Sequence, residues 1–191
     1  MKNFIALFIG FALLLQGCGG ESHDHEMPMP APAEEITETT QVFEAPDAFK
    51  NELESALDPY FELSSALVQA NSEEAKQKAA LFAAALQDMS DDILPEESAA
   101  IWSLSMETAH DRAMKIVDEG DIEQQRYHFE YLSEAMINTV RDFGPLSFTV
   151  YQQRCPMVRD GSADWLSKES GILNPYHGNR MLTCGSIVRE L

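Results

Sequence analysis

The sequence predicts a mainly α fold: a four-helix up-down bundle, followed by a C-terminal turn-rich segment with a short β-ribbon. Three observations lead there. From about Asp47 to Phe143 apolar residues recur at three-to-four spacing. That stretch is punctuated at Asn71, Pro95 and Gly120-Asp121, which are signals for helix starts and stops. Beyond Pro145 the helical period is lost, and glycine, proline and β-prone residues take over. Helices joined by connections this short pack antiparallel.

The first helix is expected over 47–69, with Phe49, Leu53, Leu57, Tyr60 or Phe61, Leu63 and Leu67 on its inner face. Pro59 lacks an N–H and predicts a kink or a division into two pieces. The second helix, 72–90, opens with Asn71 and Glu74 as a capping box. Its Ala75, Ala79, Phe82, Leu86 and Met89 give an alanine-rich face suited to close packing. The third begins at Pro95 and ends before Gly120, with Ile101, Trp102, Ala109, Ala113 and Ile116 as its apolar stripe. The fourth runs from Asp121 to Gly144-Pro145, and Ile122, Phe129, Leu132, Met136, Val140 and Phe143 form its stripe. After it, Leu146–Tyr151 and Ser186–Val188 are β-prone and are expected to pair as a short antiparallel ribbon. One cysteine directly follows the first of these pieces and one directly precedes the second. Cys155 and Cys184 are therefore expected at the same end of the ribbon, with 156–183 as the excursion between them.

Residues 1–17 read as a cleaved lipoprotein signal peptide. Lys2 supplies the positive start, and the apolar run Phe4–Leu15 is too short to span a membrane. It ends in Leu15-Gln16-Gly17-Cys18, which resembles a bacterial lipobox and makes Cys18 the expected lipidation site and membrane anchor. Gly19 rather than Asp follows, which favours an outer-membrane lipoprotein of the bacterial envelope. Residues 18–46 are expected to form a flexible acidic, proline-rich tether. It carries His23, His25, Met27 and Met29, a cluster that can collect metal ions loosely or be no more than a solvated linker.

The 191-residue chain has 13 Lys and Arg against 32 Asp and Glu, a formal charge of −19. So acidic a surface repels phosphate backbones and argues against nucleic acid as a partner. No nucleophile with an adjacent base, no phosphate-binding glycine loop and no defensible carboxylate pair points to an enzyme.

The chemistry is concentrated in Arg154–Cys184, which holds Cys155-Pro156-Met157, Trp165-Leu166-Ser167, Asn174-Pro175-Tyr176-His177-Gly178 and Met181-Leu182-Thr183-Cys184. Glycine and proline at this density predict turns, and thiolate with thioether is a donor set that suits Cu(I). Two readings of the cysteine pair remain open. As metal ligands, Cys155 and Cys184 would be joined by Met157 or Met181, with His177 nearby. As a disulfide, which is the commoner fate outside the cytoplasm, they would stabilise the domain by a few kcal/mol and be lost as ligands. Methionine is also an ordinary gap-filler of cores. Zinc fits less well, because thioethers are poor ligands for it and one histidine does not complete a four-ligand shell. On the third helix Met106, His110 and Met114 lie in one row at the rim of the buried face, and His128 has a similar place on the fourth. Both histidines read as surface groups unless 156–183 folds over those helices. Trp165, Asn174, Pro175 and Tyr176 read as scaffold.

These C-terminal motifs, with Cys184-Gly185 and with Gln125-Arg126-Tyr127-His128-Phe129 and Leu132-Ser133 upstream, resemble a particular family. It is a domain of unknown function carried at the C-terminus of some periplasmic adaptor subunits of copper/silver efflux pumps, and found alone in bacterial lipoproteins. The likeness covers about 47–191. It implies a heavy-metal-binding domain, chiefly for copper, and as partners a soft metal ion, a membrane, and an efflux adaptor or metallochaperone. His177 departs from the pattern, since relatives usually carry an aromatic residue there. Two functions of different class thus stand side by side. One is a lipid-anchored protein that sequesters or hands over Cu(I); the other is a disulfide-stapled interaction module without metal.

Overall fold

The computed structural model of the chain describes residues 43–159 and 161–191. The signal-like segment, Cys18 and the His23–Met29 cluster lie outside the described residues. Four helices follow one another: α1 (Asp47–Val68), α2 (Ser72–Asp88), α3 (Glu96–Asp118) and α4 (Ile122–Phe143). Among the described residues no helix is long and apolar enough to cross a membrane.

Local sequence sets the helix ends. The Asn71 side chain accepts from Glu74 N at 3.2 Å and donates to the Glu74 carboxylate at 2.9 Å, so Asn71 caps α2. The return bond of the expected capping box comes from its side-chain amide, because Asn71 N donates to Ala66 O. Asp121 caps α4 by accepting from the amides of Glu123 and Gln124. Pro95 stands just outside α3, with its carbonyl accepting from Ala99 N at 2.8 Å. Pro59 does not divide α1, which runs on as one 22-residue helix. Packing of the flanking turns outweighs the missing donor, for Ala56, Leu57, Tyr60 and Leu63 around the proline are all buried.

Each helix packs on its sequence neighbours, and aromatic side chains close the bundle between α1 and α4. The Tyr60 and Phe129 rings stack at 5.3 Å, and Phe49 meets Phe143 at 5.1 Å and Trp102 edge-on at 5.3 Å. Ala75, Ala79 and Ala83 let α2 lie close to its neighbours around Phe82 and Leu86. Ile101, expected on the inner stripe of α3, is 38% exposed, and Ser98 is buried in its stead. Phe43, in the stretch expected to be tether, donates its N–H to Asp142 O at 2.7 Å and sets its ring against Phe143.

Helix α4 is buried on two faces. Leu132, Met136, Val140 and Phe143 face the bundle, while Arg126, Phe129, Ser133 and Ile137 form a second row at helical spacing. The C-terminal segment covers that second row. It is a three-stranded antiparallel sheet of order β2-β1-β3, with β1 (Tyr151–Val158), β2 (Gly161–Ser167) and β3 (Ser186–Glu190). An antiparallel pairing of the expected kind exists, but on shifted residues: Ile187 and Ser186 lie opposite Gln153 and Arg154. Of the expected piece Leu146–Tyr151 only Tyr151 belongs to β1, opposite Glu190. The expected ribbon is incomplete, however. Cys155 and Met157 lie on a strand rather than a turn, and Trp165 and Leu166 form a third strand that hairpins back on β1. In β2, Ala163 and Trp165 are buried with Asp164 half-buried between them, but Leu166 is buried as well, so the strand lacks the clean period-two pattern that would mark it in the sequence.

Two buried polar groups fasten sheet to bundle. The Tyr60 hydroxyl accepts from Leu166 N at 3.0 Å and shares a hydrogen bond with Ser133 Oγ at 2.8 Å. Arg126, only 5% exposed, donates to Leu67 O and to Pro175 O, both at 2.8 Å, and to the Glu123 carboxylate at 2.7 Å. It thereby ties the carboxyl end of α1 to the loop that leads to Cys184. Replacing Arg126→Met strands the Pro175 carbonyl and takes one donor from Leu67 O, which keeps Ala70 N, and should cost about 1–3 kcal/mol in denaturant unfolding. Amide exchange should accelerate around 174–184 before it does in the helices; equal acceleration throughout would contradict this role.

Candidate functional site: a paired-thiol site beside the sheet

The site is built from β1 and the last turn before β3. Cys155 sits on β1 opposite Ala163 of β2 and is fully buried. Because Arg154 pairs with Ser186, the residue two places before β3 comes beside Cys155, and that residue is Cys184. Their Sγ atoms stand 3.4 Å apart as free thiols. Cys184 is half-buried. Its thiol is held above its ordinary pKa, first by the hydrogen bond with Cys155 and then by desolvation.

The loop that presents Cys184 is organised by Asn174, which is fully buried. Its amide nitrogen donates to Cys184 O at 2.9 Å, while its carbonyl oxygen accepts from Tyr176 N at 2.9 Å and His177 N at 3.2 Å. An Asx turn of this kind replaces regular backbone pairing in a tight loop. The Tyr176 ring packs on Trp165 and Phe129, each at 5.9 Å, and its hydroxyl donates to Asp164 O at 2.5 Å. Two glycines permit the close approach. Gly178 has φ +52, and a Cβ there would lie 2.6 Å from Val68 O and 2.8 Å from the Arg126 guanidinium. Gly185, at φ +148, would put a Cβ 2.8 Å from Arg154 O and 3.0 Å from the Trp165 ring.

The remaining candidate residues are distributed unevenly around the thiols. A β-bulge between Cys155 and Val158 breaks the alternation, so Val158 turns inward and Met157 is 51% exposed. The Met157 carbonyl is paired with His177 Nε2 at 2.8 Å, which fixes the imidazole against the end of β1. Met181 is half-buried in the turn that its carbonyl closes with Cys184 N at 3.0 Å. His110 and His128 lie elsewhere: His110 pairs with Gln87 of α2 at 2.8 Å, and His128 faces Arg112 of α3 at 3.5 Å. Although the excursion does pack on α4, it covers Arg126, Phe129 and Glu130 rather than His128. Among the described residues no three His, Cys, Asp or Glu side chains gather to hold a metal ion. From these residue types the site offers two sulfurs, and any further donor must be a thioether or come from outside.

Sequence reasoning did not single out Arg126, Gln153, Tyr60 or Gly185 as supports of the site. Gln153 is fully buried and donates to Glu169 O at 2.8 Å, holding the strand that carries Cys155. The available signal was polar residues at buried strand or helix periods: Arg126 one turn before Phe129, and Gln153 two before Cys155.

Elsewhere, His128 has its pKa lowered, first by burial and then by the Arg112 charge. Protonation therefore favours the unfolded chain, and stability falls as pH drops through the unfolded imidazole value toward the lower folded one. Between about pH 7.5 and 5.5 the wild type should lose more stability than His128→Gln, read from denaturant midpoints. An equal loss in both would contradict the shift.

Residues 56–147 match the model of a family described as "Protein of unknown function (DUF3347)". The match takes in most of α1 and all of α2–α4, and it ends before Cys155. Comparison with curated proteins gives no match. Comparison with solved structures likewise gives none. Residues 56–147, just under half of the chain, are thus similar to this domain-of-unknown-function family.

Proposed function

We propose that the chain is a lipid-anchored envelope protein that binds a soft heavy-metal ion, Cu(I) foremost, for sequestration or hand-over to an efflux system. Cys155 and Cys184 are the primary ligands. Met181 or Met157 supplies a third donor, the His23–Met29 cluster collects ions, and an efflux adaptor or metallochaperone is the partner. The observation that supports this reading is the 3.4 Å approach of the two free sulfurs, made by a central strand and a buried Asn174 turn. Two thiolates with a soft third donor favour Cu(I) over ions that prefer oxygen. A low-coordinate site also leaves room for an incoming ligand, as a carrier requires. The acidic chain attracts cations and raises their local concentration. A disulfide-stapled interaction module is the competing reading, and it rests on the same short distance.

The test is a Cu(I) competition titration of the reduced whole chain carrying Cys18→Ser, in detergent. One equivalent should bind tightly. Cys184→Ser, at a half-buried position that leaves the core intact, should weaken binding at least about 100-fold, near 2.7 kcal/mol. Unchanged affinity in Cys184→Ser, with circular dichroism confirming the fold, would overturn the thiolate site.

A further inference from the structure

We propose that the same pair is a redox gate: Cys184 exchanges with a disulfide-bearing oxidant, and Cys155 resolves the mixed disulfide to close an intramolecular Cys155–Cys184 bond that shuts the metal site. The gating half of this inference rests on the metal reading above, whereas the exchange chemistry stands on the pair's geometry alone.

The first argument is distance. A disulfide brings its sulfurs to about 2.05 Å. Two thiolates on one three-coordinate ion with bonds of about 2.3 Å stand roughly 4.0 Å apart. The observed 3.4 Å lies between the two, so each state is reached by a small displacement. The second argument is which sulfur can move. Cys155 is held in β1 by its pairing with Ala163 of β2, next to Arg154, which is paired on both edges. Cys184 precedes β3 and is held only by its turn and by Asn174.

The third argument is the asymmetry of access. Cys155 has no exposed surface, so an external disulfide cannot reach it, while Cys184 is half-buried and open to attack on one. The order of events follows. The Cys184 thiolate attacks one sulfur of R–S–S–R, a Cys184–S–R bond forms, and R–S⁻ leaves with a proton. The Cys155 thiolate then attacks the Cys184 sulfur and expels the second R–S⁻. The two thiols lose two protons and two electrons, and the oxidant is reduced to two R–SH. With both sulfurs bonded to each other, neither remains a thiolate for metal. The complete burial of Cys155 leaves Cys184 as the entry point for both oxidant and metal.

Oxidised glutathione serves as the probe, with the whole chain carrying Cys18→Ser followed by mass spectrometry. The otherwise native chain should pass through a transient single adduct, lose two hydrogens and release two glutathiones. Cys155→Ser or Cys155→Ala should stop at a stable adduct on Cys184, and Cys184→Ser should react at least about 100-fold more slowly. Equal adduct formation on Cys155 and Cys184, or a native chain that halts at the adduct, would overturn the exchange order. Cu(I) loading should slow the exchange, and the closed form should take up no Cu(I). Full Cu(I) affinity in the closed form would overturn the gate. Closure with no Cu(I) uptake even when reduced would overturn the metal reading alone and leave the pair as a thiol–disulfide exchange centre.

Discussion

The buried guanidinium of Arg126 is the constraint on which the C-terminal half depends. A charge placed at 5% exposure is costly unless every donor is met, and here the acceptors are two backbone carbonyls and one carboxylate. Those acceptors come from three parts of the chain: the end of α1, the start of α4, and the Pro175 loop. Satisfying one side chain therefore fixes the loop relative to the bundle. Gly178 then rests on Val68 O, where no larger residue fits. From that fixed loop Asn174 reaches the carbonyl of Cys184, while β1 delivers Cys155 from the other side. The closeness of the two sulfurs is thus a consequence of bundle docking as well as of strand pairing.

This construction has a chemical consequence. The loop positions sulfur but brings no imidazole or carboxylate cluster with it among the described residues. His177 is turned to a backbone carbonyl, and His110 and His128 serve contacts among α2, α3 and α4. A site of this composition suits soft ions in low coordination rather than a closed tetrahedral shell. It is also the composition most easily converted into a disulfide, so under the proposed function metal binding and thiol exchange would compete for one pair of atoms.

The bundle was legible because helix period, caps and breakers agree with one another: Asn71 with Glu74, Asp121 before Ile122, and Gly144 after Phe143. Even there the division that Pro59 allowed does not occur, since a local rule about a missing N–H yields to packing on both sides of it. The juxtaposition of Cys155 and Cys184 was legible too, because each flanks a β-prone piece. What sequence did not reveal was non-local. The second buried face of α4 makes sense only once a sheet lies on it. The hairpin strand carrying Trp165 does not alternate cleanly, since Leu166 is buried beside Trp165, and so does not announce itself. The bulge that turns Met157 outward depends on a register that no single strand encodes.

X-ray absorption at the copper edge of the Cu(I)-loaded chain tests the thiolate pair most directly. The structure and chemistry described here predict a first shell of two or three sulfur scatterers with no nitrogen or oxygen, losing one sulfur in Cys184→Ser. A first shell of nitrogen or oxygen that is indifferent to Cys184→Ser would contradict it. Copper would then be held by histidine or carboxylate, and Cys155 and Cys184 would have no part in it.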